Sequence, residues 1–178
     1  MTYEEMKTLC EKVGFKIIAP LDTGTLEAKP DIREMCNANR CGMYGKTWSC
    51  PPALPSVEDC QKKMSGYPQG ILLQTKADLE DEFDGEGMQE AHQEHRDQFD
   101  ELVRTLREQG TDFLPLGAGA CRRCRKCTYP VEPCRFLETF YASMEAYGLF
   151  VTEVCKKNNV TYYYGKGTIT YTGCVLFR

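Results

Sequence analysis

The run Gly70-Ile-Leu-Leu-Gln-Thr75 predicts a buried β-strand, because its apolar residues are contiguous. After an acidic segment, residues 88–109 repeat apolar side chains at three- and four-residue spacing and predict a long amphipathic helix that Gly110 would end. Residues 111–116 predict another strand. Strand, helix and strand together predict a right-handed crossover in which the two strands lie side by side in parallel.

Shorter elements are predicted around this unit. Helices are predicted at 3–13, 56–64, 135–147 and 151–157, a strand at 15–20, and a C-terminal hairpin that joins 160–164 to 168–177 around Gly165-Lys-Gly167. Residues 22–55 are rich in Gly, Pro, Asn and Cys without a sustained period, and they predict a long ordered loop.

These patterns predict one α+β domain over residues 1–178, with a small mixed sheet, a βαβ crossover and the C-terminal hairpin. We expect the long helix to pack on one face of the sheet. We expect two cysteine-bearing loops to lie close together at one edge of the sheet, where they would form the metal-binding region.

The composition excludes several classes of protein. A hydrophobic fraction of 42% and a charged fraction of 27% are ordinary for a soluble globular chain. The net charge of -4 gives no overall basic footprint for nucleic acid. The first residues show no basic segment followed by an apolar run, and no window is apolar enough to cross a bilayer. We therefore expect a cytoplasmic protein with no nucleic-acid and no membrane partner.

The strongest chemical signal is Cys121-Arg-Arg-Cys124-Arg-Lys-Cys127, closed by Cys134, in a chain of 11 cysteines. Disulfides are rare in a reducing compartment, so clustered thiols favour metal ligation. The spacing is similar to the ferredoxin-type run, with a longer last gap and Arg135 in place of proline. Zinc sites usually pair two Cys-x2-Cys hooks, which leaves the third thiol without a role. The run predicts a 4Fe-4S cluster, with zinc and a metal-free loop as alternatives.

Four basic residues separate these ligands: Arg122, Arg123, Arg125 and Lys126. Positive charge beside a buried anionic cluster lowers the cost of burying it and of adding an electron. The same basic loop, 122–126, could instead dock an acidic redox partner protein, and the two roles are compatible.

A second set of thiols, Cys36, Cys41 and Cys50, lies in a Gly- and Pro-rich segment. Glycines there permit backbone N–H groups to approach cluster sulfides, and Cys50 precedes proline as closing ligands of ferredoxins often do. We expect metal ligation here too, with Tyr44 and Trp48 shielding a cluster from solvent.

The chain resembles an uncharacterised prokaryotic family of predicted metal-binding proteins, domain of unknown function 2284. The resemblance spans most of the chain and lies in Cys36, Cys41, Tyr44-Gly-Lys46, Cys50-Pro-Pro52, Gly117-Ala-Gly119, Cys121, Cys124, Cys127, Cys134-Arg135, Ser143-Met-Glu145 and Gly148. It implies that seven cysteines bind metal, as an iron-sulfur centre. It implies no particular reaction.

Seven ligands suggest a division into four and three. If Cys121, Cys124, Cys127 and Cys134 saturate one cluster, the other three thiols would leave one iron of a second cluster open. Cys60 could fill that position, although its helical spacing with Val57 and Met64 favours core packing. An open iron could instead bind substrate or sulfide as a Lewis acid. The spacing also permits Cys50 and Cys134 to exchange clusters.

Three functions follow from these patterns. The first is electron transfer or redox chemistry with one or two 4Fe-4S clusters, the second is an enzyme with an open iron, and the third is a zinc-stabilised structural protein. His92 and His95 on the long helix could present a metal pair, but a solvated face with a partly buried His95 is the commoner arrangement. Cys10 and Cys174 fit core positions.

Overall fold

The computed structural model describes residues 1–178 as an α+β fold with five helices and one five-stranded mixed sheet. The helices are α1 (Tyr3–Lys12), α2 (Pro30–Asn37), α3 (Val57–Met64), α4 (Gly85–Glu108) and α5 (Val151–Lys157). The strands are β1 (Ile17–Leu21), β2 (Gln69–Asp78), β3 (Phe113–Gly117), β4 (Ala142–Ser143) and β5 (Thr168–Phe177), in the order β1-β2-β5-β3-β4. The α+β class and the mixed sheet are as predicted.

Helices cover both faces of the sheet, which explains the contiguous apolar run of β2. Ile71 and Leu73 face a core that α1 and α4 complete, and Leu72 faces the opposite core, to which α3 and α5 contribute. The long helix thus packs on one face, as predicted. Its buried stripe is the one that the spacing indicated: Ala91, His95, Phe99, Leu102, Val103 and Leu106.

The crossover forms, but its two strands are not neighbours. Both β2 and β3 pair with β5 in antiparallel fashion, so they run parallel to each other with β5 between them. The reason lies in the C-terminal residues 172–177, which are all buried. A strand that is buried on both faces is most stable in the centre of a sheet, where the backbone groups along both of its edges are hydrogen-bonded. Gly173 permits the close fit, since a Cβ there would lie 2.9 Å from Phe99.

The predicted C-terminal hairpin does not form, because residues 160–164 are not a strand. This segment crosses the side chain of Gln74 instead, which donates to the carbonyl of Thr161 at 3.0 Å and accepts from the Tyr164 hydroxyl at 2.9 Å. Tyr162 and Tyr163 are exposed, so the alternation that suggested a strand has no buried face.

The predicted helix at 135–147 is also corrected. The segment contains two 3-10 turns, Leu137–Thr139 and Glu145–Tyr147, with β4 between them. Phe136 and Leu137 are exposed, so the first residues of this segment have no apolar surface to pack against. Residues 142–143 instead pair in parallel with β3, whose edge would otherwise be open.

The region predicted as a loop, 22–55, contains helix α2. Its signals were Pro30 at the first helical position and Asp31 in the first turn. Cys36 therefore lies on the last turn of a helix, while Cys41 and Cys50 lie in the loop that follows. Helix α3 begins after the Ser56 cap, as predicted. None of the helices combines the length and apolar character needed to cross a membrane.

Candidate metal centre

The structure separates the cysteines by burial. Four are core residues with at most 1% of their surface exposed: Cys10, Cys60, Cys155 and Cys174. Burial raises the pKa of Cys10 to about 12 and that of Cys155 to about 11, so these thiols stay protonated at neutral pH. The seven predicted ligands all lie outside the sheet, on α2 or in two loops, and all 11 cysteines are free.

One cavity of about 670 Å³ brings the strongest motif together. Its wall contains all four thiols of that motif: Cys121, Cys124, Cys127 and Cys134. Residues 45–49 of the other cysteine-bearing loop complete the wall. Residues of both loops thus line one cavity near the end of β3. Neither Cys36, Cys41 nor Cys50 lines this cavity.

The loop after β3 is fastened to α4 through Arg123. Its guanidinium contacts both carboxylate oxygens of Asp100, at 2.5 and 3.1 Å, and donates to the carbonyl and hydroxyl of Thr139 at 2.7 Å. The Tyr141 hydroxyl donates to the same carboxylate at 2.5 Å. Only 18% of the Arg123 side chain is exposed, so this residue holds the loop and is not part of a docking surface.

A second fastening joins the two loops to each other. The backbone N–H of Cys121 donates to the Ser49 hydroxyl at 3.2 Å, and Ser49 also contacts the hydroxyl of Thr47 at 3.2 Å. Both hydroxyl residues are buried. Trp48 donates to the carbonyl of Glu132 at 3.0 Å, so the indole covers the cavity of the Cys121 motif. Cys50 comes directly after this junction, which places its thiol near the loop that begins at Cys121.

One backbone N–H group is directed at a sulfur of the motif. Phe136 N–H donates to Cys134 Sγ at 3.4 Å. Such bonds stabilise thiolates and tune metal centres. Burial nevertheless raises the pKa of Cys121, and the neighbouring thiols of Cys134 and Cys124 add to this effect, so the thiol is protonated before a metal binds.

The other three thiols form a group of their own around Cys36. Burial raises the pKa of Cys36, and the nearby groups of Cys50, Glu145 and Cys41 raise it further. Glu145 lies near Cys36 because α2, which carries Cys36, packs against the turn 145–147. The Lys29 N–H, just before α2, donates to the carbonyl of Gly148 at 2.8 Å. The functional candidates Glu145, Ser49 and Asp100 were not identified as such from the sequence. Only Glu145 belonged to a quoted motif.

Cys60 lies in the core, as its spacing favoured. It is 1% exposed and belongs to the cluster of side chains that packs β2 and β5 against α3 and α5. Its sulfur accepts from Arg33 Nη2 at 3.3 Å. Packing is therefore a sufficient role for Cys60.

The two histidines of α4 face protein groups. His95 is fully buried and shares a 3.0 Å hydrogen bond with the Thr75 hydroxyl, and burial lowers its pKa to about 3. His92 Nε2 contacts the carbonyl of Ala118 at 3.2 Å, and its ring stacks on Tyr171. His95 is thus more deeply buried than predicted, and both rings have partners in the fold.

As the side chains stand, no three His, Cys, Asp or Glu residues form a group that could hold a metal ion. The donor set nevertheless fits a thiolate-bound metal, since four accessible thiols line one cavity, with a backbone N–H directed at one of the sulfurs and with basic neighbours. Metal binding would replace the thiol protons, and bonds to a common metal centre would draw these sulfurs together.

Fold and site together define a class of protein: an α+β domain in which two loops outside the sheet carry two sets of cysteine thiols. A family model described as "Predicted metal-binding protein (DUF2284)" matches residues 19–177, and the chain belongs to this family. The resemblance drawn from the cysteine motifs is thereby confirmed. Comparison with curated proteins and with solved structures gives no match.

Proposed function

We propose that this protein is a cytoplasmic iron-sulfur protein that acts in electron transfer or redox chemistry. Cys121, Cys124, Cys127 and Cys134 would hold one 4Fe-4S cluster. The observation that carries the proposal is that all four of these thiols line one cavity, although the last lies seven positions after the third. A bound 4Fe-4S cluster would supply a centre that accepts and releases single electrons.

The surroundings of this cavity suit an anionic centre held by thiolates. Six cationic side chains lie in its wall against one carboxylate, that of Asp100. A cluster with four thiolates is an anion, and nearby positive charge offsets the cost of enclosing it. The exposed Arg125 and Lys126 would form a docking surface for an acidic redox partner.

Cys36, Cys41 and Cys50 would hold a second cluster with one iron that lacks a thiolate. The core position of Cys60 favours this arrangement over four thiolates. The Glu145 carboxylate is near enough to raise the pKa of Cys36, and it could fill the position or leave it to a substrate. This second site is where an enzymatic function, our alternative proposal, would be located.

Anaerobic purification with iron, acid-labile sulfide and zinc analysis tests the proposal. We expect a brown protein with about four irons and four sulfides for each cluster. Cys124→Ser should abolish the cluster at the first cavity, and Cys155→Ser is the matched control, since Cys155 is buried away from both loops. A colourless protein with stoichiometric zinc would refute the iron-sulfur proposal and favour a zinc-stabilised structural role.

A further inference from the structure

A second cavity, of about 540 Å³, lies beside the cavity of the Cys121 motif. Both walls contain Trp48, Cys134 and Phe140. The rest of the second wall comes from the segment before α3, from α3 itself, from the turn that packs against α3 and from the loop around Cys134: 53–55, Lys63, Tyr147, 130–133 and Leu137. Of the seven predicted metal ligands, Cys134 alone reaches this wall. The second cavity is therefore distinct from the four-thiol site.

The Tyr147 hydroxyl is a polar group of this wall that has no partner in the protein. Its residue is the one tyrosine buried in the core, with 5% of its surface exposed, and its oxygen keeps access to solvent. Four less buried tyrosines each hydrogen-bond to the protein through their hydroxyls: Tyr67, Tyr141, Tyr164 and Tyr171. A buried tyrosine hydroxyl usually has such a partner. Burial raises the pKa of Tyr147 to about 12, so the hydroxyl is protonated at neutral pH and can donate to a ligand in the cavity.

Lys63 adds a positive charge to the same part of the wall. It lies in the last turn of α3, which packs against the turn that ends in Tyr147. Its ammonium forms no ion pair within the protein. The acidic residue of the wall, Glu132, belongs to the loop around Cys134 instead. A hydroxyl donor and an ammonium on adjoining elements suit the oxygens of a carboxylate.

The remainder of the wall suits an aromatic ring. Trp48 and Phe140 provide aromatic surface, and Val131 and Leu137 are exposed apolar side chains that a ligand would cover. The Trp48 indole donates to the Glu132 carbonyl at 3.0 Å, which fixes the loop against the aromatic part of the wall. A wall that is already fixed lowers the cost of ordering it when a ligand binds.

We propose that the second cavity binds a small aromatic carboxylate, whose ring the apolar wall covers and whose carboxylate accepts from the Tyr147 hydroxyl and pairs with Lys63. The cavity volume lies in the range of small-molecule sites. This inference goes beyond the proposed function and does not depend on it, because neither Tyr147 nor Lys63 is a predicted metal ligand. Since Cys134 belongs to both walls, the bound molecule would contact the loop that carries the proposed cluster.

Calorimetry on purified protein of known iron content tests the inference. The probe is 2-naphthoate, and the control ligand is 2-naphthylmethylamine, which has the same ring with a positive charge. We expect the carboxylate to bind and the amine not to bind. Tyr147→Phe should weaken naphthoate binding roughly 10-fold without lowering Tm, because the hydroxyl has no partner in the fold. Lys63→Gln should weaken it roughly 2- to 5-fold, since this charge is exposed to solvent.

Two matched controls separate binding from stability. Tyr164→Phe removes a hydroxyl that donates to Gln74 at 2.9 Å outside the cavity, so it should lower Tm and leave the affinity unchanged. Lys62→Gln removes a neighbouring charge of α3 that is not part of the wall, and it should also leave the affinity unchanged. Failure of naphthoate to bind, equal binding of the amine, or an affinity that Tyr147→Phe leaves unchanged would each overturn the inference. Iron content of the same samples tests the proposed function separately, so either can fail alone.

Discussion

Asp100→Asn is the most informative single substitution outside the cysteines. The Asp100 carboxylate on α4 accepts two hydrogen bonds from Arg123 and one from Tyr141. Asparagine has nearly the same shape but no charge, and its amide presents only one acceptor oxygen. The variant should therefore free the loop that carries Cys121 to Cys134 while it leaves α4 and the sheet intact.

The magnitude follows from the burial of the pair. Exposed ion pairs contribute about 0–1 kcal/mol, and breaking a buried pair costs about 3–5 kcal/mol. Arg123 is 18% exposed and Asp100 is 37% exposed, which places this pair between the two limits. We expect a loss of about 2 kcal/mol in the free energy of unfolding, equivalent to a decrease of about 4–8 °C in Tm for a chain of this size.

Urea denaturation of metal-free protein measures the loss of stability, and iron release to a chelator measures how firmly the loop holds metal. Asp97→Asn is the matched control, since Asp97 lies one turn away on the exposed face of α4 and accepts only from Gln93. Faster iron release in Asp100→Asn alone is expected. Equal stability and equal release rates in the two variants would show that the Arg123 contact does not hold the loop.

Three further predictions concern the core, a turn and a buried histidine. Cys60→Ala should lower the free energy of unfolding, measured by urea denaturation, by about 1–2 kcal/mol and leave the iron content unchanged. Loss of iron in this variant would show that Cys60 is a ligand. Gly148→Ala should lower the free energy of unfolding by about 2 kcal/mol or more, which is a larger loss than Gly110→Ala should cause. Both glycines have positive φ, but only at 148 would a Cβ lie 3.1 Å from the Lys29 backbone. Equal Tm values for the two variants would contradict this prediction. Burial lowers the pKa of His95 from 6.5 to about 3, so the unfolded chain binds a proton there first and stability should fall as pH decreases below about 6.5. Urea titrations should show a shallower decline in His95→Leu, and parallel curves would refute this assignment.

Local signals predicted the elements that local physics controls. The apolar stripe of α4, the Ser56 cap of α3 and the contiguous run of β2 are each readable within a short window. Strand pairing was not readable in this way. The position of β5 depends on burial on both faces by helices that are distant in sequence, and the pairing of β4 depends on an open edge of β3. For this reason the predictions of adjacent parallel strands, of a C-terminal hairpin and of a helix at 135–147 were wrong.

The site shows the same division. Cysteine spacing predicted the four thiols that share a cavity, because a loop with short gaps cannot place its sulfurs far apart. It could not identify Ser49, which joins the loops from 72 positions away. Contacts of this range depend on the packing of whole elements.

The sequence alone was thus enough to identify the cysteine motif that would bind metal. The donor atoms, their number and their grouping along the chain are covalent facts, and they predict metal binding without a fold. The tertiary structure decided which four cysteines are core, which loop residues join the two cysteine-bearing loops, and where positive charge collects. These features depend on burial and on distances through space, which residue spacing does not fix.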